Sequence, residues 1–297
     1  MNWNFRGVGT ALVTPFRSDL SVDYDKLRQL IKRQIENGIK CLVPVGTTGE
    51  AVTLELSEWR EVISQTVQEA SGKAIVLAGV GGNCTKTVID RAKEAFDLGV
   101  DGVLAVTPYY NKPTQEGLFD HFRRVAQEVK GPVVLYNVPG RTGVNMSAQT
   151  TIRLQREFEN IVGIKESSAN LSQIMQIISQ RREGFRVYSG DDNLTLPITT
   201  LGGDGVISVV SNETPDLMNQ LVEFIFENKL DMARRLHYRL LSLMEINFIE
   251  TSPAPVKYAL SRMGLIENVL RPPLVPVTDS SSKQIDQVLR ELELIDR

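Results

Sequence analysis

Short apolar runs, each closing on a polar cluster, alternate with longer amphipathic stretches along most of the chain. "NGIKCLVPVGTTGE" (37–50), "LGVDGVLAVTPYYN" (98–111) and "LGGDGVISVVSN" (201–212) share one plan. A Gly suited to the end of a helix precedes a β-rich apolar run, and small or polar residues follow it. Similar runs are "VGTALVTPF" (8–16), "AIVLAGVGGN" (74–83), "PVVLYNVPGRTG" (132–143), "NIVGIKESS" (160–168) and "FRVYSGDD" (185–192). Between them lie helical patterns. Residues 23–36 put Leu27, Leu30, Ile31 and Ile35 on one face. Further helices are expected over 57–71, 85–99 and 114–129, with Ser57, Thr85 and Thr114 as N-caps, then near 147–157, 170–181 and 214–226, with a weaker one near 192–200.

Strand and helix thus alternate eight times in about 225 residues, which predicts a (β/α)8 TIM barrel of the α/β class. A doubly wound sheet would carry a GxGxxG turn after its first strand, and "GVGTALVTP" does not fit it. After residue 228 the alternation stops. Residues 229–248, 253–263 and 280–295 read as consecutive helices, with a Pro-rich crossing at 270–282. The expected organisation is a catalytic barrel over 1–228 and a C-terminal helical appendage over 229–297.

Composition narrows the function classes. Apolar residues make up 42% of the 297, enough for a large core, and 33 basic against 36 acidic residues give a formal net charge of -3. No basic cluster suggests nucleic acid, and no apolar run reaches the roughly 18 residues of a membrane span. "MNWNFRGVG" lacks the plan of a signal peptide, so a cytoplasmic protein is expected. Two Cys and two His, with no CxxC, do not suggest a zinc site, and Cys84 reads as a small hydrophobe, not a nucleophile. The acids of "SGDD" are weak evidence for a cation. No metal and no cofactor are expected.

In a βα barrel the chemistry gathers where the strands end. The polar ends place Thr47, Thr48, Tyr109, Tyr110, Tyr136, Arg141 and Lys165 around one rim. Lys165 closes the apolar run Ile161–Ile164. Burial disfavours a charged lysine and frees its amine as a nucleophile for a Schiff base; the plain alternative is a strand-end lysine that snorkels to water. "GTTGE" (46–50) offers N–H groups and hydroxyls to a carboxylate, or is only a tight turn. "YNVPGRTG" joins a phenol to a guanidinium suited to carboxylates. "TPYYN" reads as a phenol pair or an aromatic plug.

Taken together, "VTPF", "GTTGE", "VTPYYNKPTQEGL", "YNVPGRTG", "GIKES", "YSGDD" and "GVISV" resemble, in order, the motifs of the dihydrodipicolinate synthase / N-acetylneuraminate lyase family of class I aldolases, over residues 5 to 278. The resemblance implies a βα barrel with C-terminal helices and makes Lys165 the Schiff-base residue. The Thr pair and Arg141 look most like the branch that condenses pyruvate with L-aspartate 4-semialdehyde on the way to diaminopimelate and lysine. It further implies Tyr136 as proton shuttle, Thr47 and Tyr110 as relay partners with Tyr110 supplied by a neighbouring subunit, Thr48 on the pyruvate carboxylate, the Ile207 carbonyl lining the pyruvate site, and Arg141 clamping the semialdehyde carboxylate. A homo-oligomer follows, commonly a tetramer built as a dimer of dimers. The rivals are an aldolase of the same family acting on a longer sugar-derived 2-keto acid, which would need hydroxyl-binding groups in place of Arg141, and a non-enzymatic ligand binder, which would lack Lys165 or Tyr136.

Overall fold

The computed structural model describes residues 3–296; the reading of the extreme N-terminus at residues 1 and 2 lies outside it. Eight parallel strands close into a barrel in sequence order: β1 Gly7–Ala11, β2 Cys41–Val43, β3 Ile75–Gly79, β4 Gly102–Val106, β5 Val133–Asn137, β6 Ile161–Glu166, β7 Arg186–Ser189 and β8 Gly205–Ser208, with β8 pairing back to β1. The (β/α)8 expectation is met. Strand alternation sorts the side chains into two sets. Ala11, Val43, Leu77, Leu104, Val134, Val162, Tyr188 and Ile207 form one cluster inside the barrel. Val133, Leu135, Ile161, Ile164 and Val187 join the larger cluster beneath the surrounding helices. Trp3 and Phe5 belong to the inner cluster. The Trp3 indole donates to the Tyr188 hydroxyl (2.9 Å), which donates to the Phe5 carbonyl (2.8 Å).

The outer shell begins with α1 Tyr24–Glu36, α2 Leu56–Ala70, α3 Thr85–Asp97 and α4 Gln115–Glu128. It continues with α5 Pro139–Thr142, α6 Ala148–Glu157, α7 Leu171–Gln180, α8 Thr195–Thr200 and α9 Pro215–Phe226. Short α5 is an element that the apolar periodicity did not predict. Near 192–200 a 3-10 turn at Asp192–Leu194 runs into α8. Thr114 caps α4, its hydroxyl accepting from Gly117 N. Two expected caps are displaced. α2 is capped at Glu55, whose N–H donates to the Glu58 carboxylate (3.0 Å), and not at Ser57. Thr85 is the first residue of α3, and its hydroxyl pairs with His121 Nδ1 of α4 at 2.9 Å.

The cap of α3 is Cys84, which corrects a second expectation. Its side chain is exposed, and the Thr87 N–H, the Thr87 hydroxyl and the Lys86 N–H hold the thiol below its ordinary pKa. The chain continues through α10 Leu230–Ile246, α11 Ala254–Arg262 and α12 Asp279–Glu291. These share the large outer cluster with the barrel helices, since Leu240 and Leu289 pack in it beside Leu27 and Phe122. No described helix is long and apolar enough to cross a membrane.

Candidate active site

Lys165 reaches the barrel interior through an irregularity in its strand. β5 pairs β6 with Val133 opposite Ile161, then Val134 opposite Gly163. Two residues of β6 therefore face one of β5, a β-bulge at Val162–Gly163. Ile161 belongs to the outer cluster. Strict alternation from it would carry 163 and 165 outward as well. The extra residue reverses the parity, so Ile164 stays in the outer cluster while Lys165 pairs with Tyr136 on one side and Tyr188 on the other, both of the inner cluster. Gly163 permits this because a Cβ there would lie 2.8 Å from the Arg186 carbonyl.

The resulting pair is the centre of the site. Lys165 is 6% exposed and Tyr136 8%. The ammonium sits over the Tyr136 ring, 4.3 Å from its centroid, close enough for a cation–π contact. Behind Lys165 the chain runs through Gly190, where a Cβ would fall 2.9 Å from Lys165 Cε and 1.9 Å from Ser167 Oγ. The acids of "SGDD" have distinct places. Burial pushes the Asp191 carboxyl up, while the Lys165 charge and the Ser167 hydroxyl pull it down. Asp192 accepts from the Val209 and Val210 N–H groups (2.9 and 3.1 Å) and fixes the turn after β8. Among the described residues no three His, Cys, Asp or Glu are grouped to hold a metal.

The other rim residues gather from the ends of β2, β4, β5 and β8. The "GTTGE" turn follows Val45 and ends at Glu50, both with left-handed backbone (φ 50° and 53°). Gly79 lets it approach β3, since a Cβ there would meet the Val45 carbonyl at 2.3 Å. Within the turn Thr48 is 5% exposed and Thr47 is exposed. Ile207 lies fully buried, one residue from the end of β8. Arg141 stands exposed on α5, and its Nη2 donates to the Ser252 carbonyl at 3.3 Å, which links it to the chain leading into α11. Tyr110 is the outlier. It carries φ 71° and is 90% exposed, so within one chain its ring is not packed against buried Tyr136, nor is it a plug in the barrel mouth.

Several supporting residues escaped the sequence reading. Gly163 inside an apolar strand was a usable sign of a bulge. Glu50, the last residue of "GTTGE", is fully buried and pairs with fully buried Lys257 of α11 at 2.6 Å. Neither residue's charge pattern marked the pair, because 207 positions separate them.

The model of the dihydrodipicolinate synthetase family matches residues 4–292. The chain belongs to this family. Family membership agrees with the barrel and the C-terminal helices. Relatives include the 4-hydroxy-tetrahydrodipicolinate synthase of Pelodictyon phaeoclathratiforme, 48% identical over 97% of this chain and 98% of that one. Among solved structures, dihydrodipicolinate synthase from Thermotoga maritima is 44% identical with a TM-score of 0.96, covering 98% of this chain and 99% of that one. The chloride-inhibited synthase from Acinetobacter baumannii complexed with pyruvate is 40% identical with a TM-score of 0.96, covering 98% and 100%.

Proposed function

We propose that this chain is a Schiff-base-forming lyase that condenses pyruvate with L-aspartate 4-semialdehyde, the reaction of 4-hydroxy-tetrahydrodipicolinate synthases, in lysine and diaminopimelate biosynthesis. The observation that carries the reading is the Lys165–Tyr136 pair inside the barrel, at the strand ends of a member of this family. Lys165 Nζ attacks the pyruvate carbonyl carbon, water leaves, and the resulting iminium draws electrons from the methyl group. Loss of a methyl proton gives an enamine. Its carbon attacks the semialdehyde, and the amine of the adduct displaces Lys165 as the ring closes.

Tyr136 carries protons in and out as general acid and base, its phenol being held beside the amine by strand pairing. Thr47 and Tyr110 continue that relay. Thr48 and the N–H groups of its turn hold the pyruvate carboxylate, and the Ile207 carbonyl lines the site. Arg141 clamps the far carboxylate of the semialdehyde; a guanidinium there suits this short diacid-derived substrate better than a polyhydroxylated 2-keto acid.

The exposure of Tyr110 supports its delivery to a neighbouring subunit, and Val52 (83% exposed) and Leu56 (43%) add apolar surface. A homotetramer built as a dimer of dimers, a cytoplasmic location and a division into catalytic barrel (1–228) and C-terminal helical region (229–297) belong to the same proposal. Borohydride reduction with pyruvate tests its core. One pyruvyl adduct on Lys165, located by peptide mass spectrometry, is expected; an adduct on another lysine, or none, overturns the reading.

A further inference from the structure

One step beyond Tyr136 and Lys165, on the outer face of the same two strands, Asn137 stands opposite Glu166. Both are buried, at 0% and 1% exposure. Asn137 Nδ2 donates to both carboxylate oxygens of Glu166 (3.0 and 3.2 Å). Gln173 of α7 donates to Oε2 (3.0 Å) and the Ser168 N–H to Oε1 (2.9 Å). The same amides hold the chain that carries Arg141. Met146 N donates to Asn137 Oδ1 (2.9 Å), and Asn137 Nδ2 also reaches Asn145 Oδ1 (2.8 Å). Asn145 Nδ2 in turn donates to Gln173 Oε1 (2.9 Å).

This network follows directly on the bulge, where the strand ladder is weakest in its specification. Without the extra residue, β5 and β6 would pair Val134 with Val162, Tyr136 with Ile164 and Asn137 with Lys165. That register turns Lys165 to the outer face, because a one-residue slip moves every side chain across the sheet. It also places an ammonium, not a carboxylate, against the Asn137 amide donor. The Glu166 carboxylate accepts from Asn137 only in the bulged register.

We propose that Glu166 and Asn137 are positioning residues: their hydrogen-bonded pair selects the bulged register that aims Lys165 at Tyr136, and through Asn145 and Met146 it holds the Arg141 loop to the same frame. The inference rests on the Schiff-base reading given above. Each end of the network leads to a different step, so its loss has two signatures. Misaiming Lys165 slows imine formation with pyruvate, and loosening the 138–145 loop raises KM for the semialdehyde. A network that merely stabilised the fold would lower Tm and leave both constants of the folded fraction unchanged.

The test is the rate of imine formation in single turnover, with borohydride quenching at timed intervals and intact-mass detection, alongside the semialdehyde KM. Glu166→Gln keeps the shape and replaces one acceptor oxygen with a further NH2 group. We expect imine formation to slow by about tenfold or more and the semialdehyde KM to rise by about threefold or more. Gln173→Met removes the outer donor to Glu166 together with the contacts of Gln173 to Asn145 and Met146, leaves Asn137 and Ser168 N on the carboxylate, and decides the matter if Glu166→Gln does not fold; about threefold slowing is expected. A folded variant of either kind whose imine rate and semialdehyde KM both stay within about twofold of the parent overturns the proposal. If the unaltered protein fails to label at Lys165, the functional reading falls and the positioning role falls with it. If it labels and the variants match it, only the positioning role is lost.

Discussion

Gly190 stands against the Lys165 side chain. No other residue fits without moving something, because a Cβ there would lie 1.9 Å from Ser167 Oγ as well as 2.9 Å from Lys165 Cε. Real Cβ contacts are not that short, so Gly190→Ala must displace Ser167 and tilt the lysine stem. A displacement near 1 Å at a reacting atom costs on the order of 100-fold in rate. Gly190→Ala is therefore expected to lower kcat by about 100-fold while the far-ultraviolet circular dichroism and the melting profile stay close to the parent. A kcat within about threefold would show that Ser167 yields and Lys165 does not move. At this scale the sequence was half informative. It displayed Lys165, Tyr136 and Arg141, since an amine, a phenol and a guanidinium are legible as side chains. It hid Gly190 and Gly163, whose contribution is the space they leave.

Elements were more legible than their ends. Apolar periodicity located the helices because each buries one face, as α4 does with Leu118, Phe122 and Val125. Caps such as that of α2 depend on single side-chain geometries, and several residue types satisfy one N-terminus equally well. The Thr85 hydroxyl shows the competition, having left the cap of α3 for His121. That contact has a pH consequence. His121 is 4% exposed, and its Nε2 has no protein partner among the described residues. Burial drives its pKa from 6.5 down to about 4, against the opposing pull of Asp120.

The folded state therefore keeps this imidazole neutral, while the unfolded chain takes up a proton below pH 6.5. The contribution is fully present above that value and is lost as pH falls towards 4, because there the unfolded state binds more protons. At about 1.4 kcal/mol per unit the loss is about 3 kcal/mol. Urea unfolding of the parent and of His121→Leu at pH 7 and pH 4 should show the parent losing about 3 kcal/mol more than the variant. Equal losses would mean that His121 protonates in place.

At the scale of the whole molecule, the barrel and the C-terminal helices meet in an interior ion pair. Lys257 Nζ donates to Glu50 Oε1 (2.6 Å) and to the Thr14 carbonyl (3.0 Å), and Arg271 N donates to Glu50 Oε2 (3.1 Å). The Phe16 ring contacts both cations, with Lys257 Nζ 4.2 Å and Arg271 Cζ 4.5 Å from its centroid. Glu50 ends the turn that carries Thr47 and Thr48, so α11 and the Pro-rich crossing brace that turn from behind. Such long-range pairing is invisible in sequence, where "GTTGE" and "APVKYAL" are far apart; the alternating strands and rim motifs were legible because each is local.

The physics of buried pairs sets the sign of the test. Removing one partner strands a charge without water, at a cost of about 3–5 kcal/mol, whereas replacing both costs far less. Lys257→Met should thus lose about 3–5 kcal/mol in urea unfolding, and adding Glu50→Gln should restore at least about 1 kcal/mol of it. Because the stranded carboxylate draws the turn towards water, Lys257→Met should also weaken pyruvate use, with its KM rising before kcat falls. Additive losses in the double variant would show that Glu50 and Lys257 act separately, and that the C-terminal helices do not brace the turn through them.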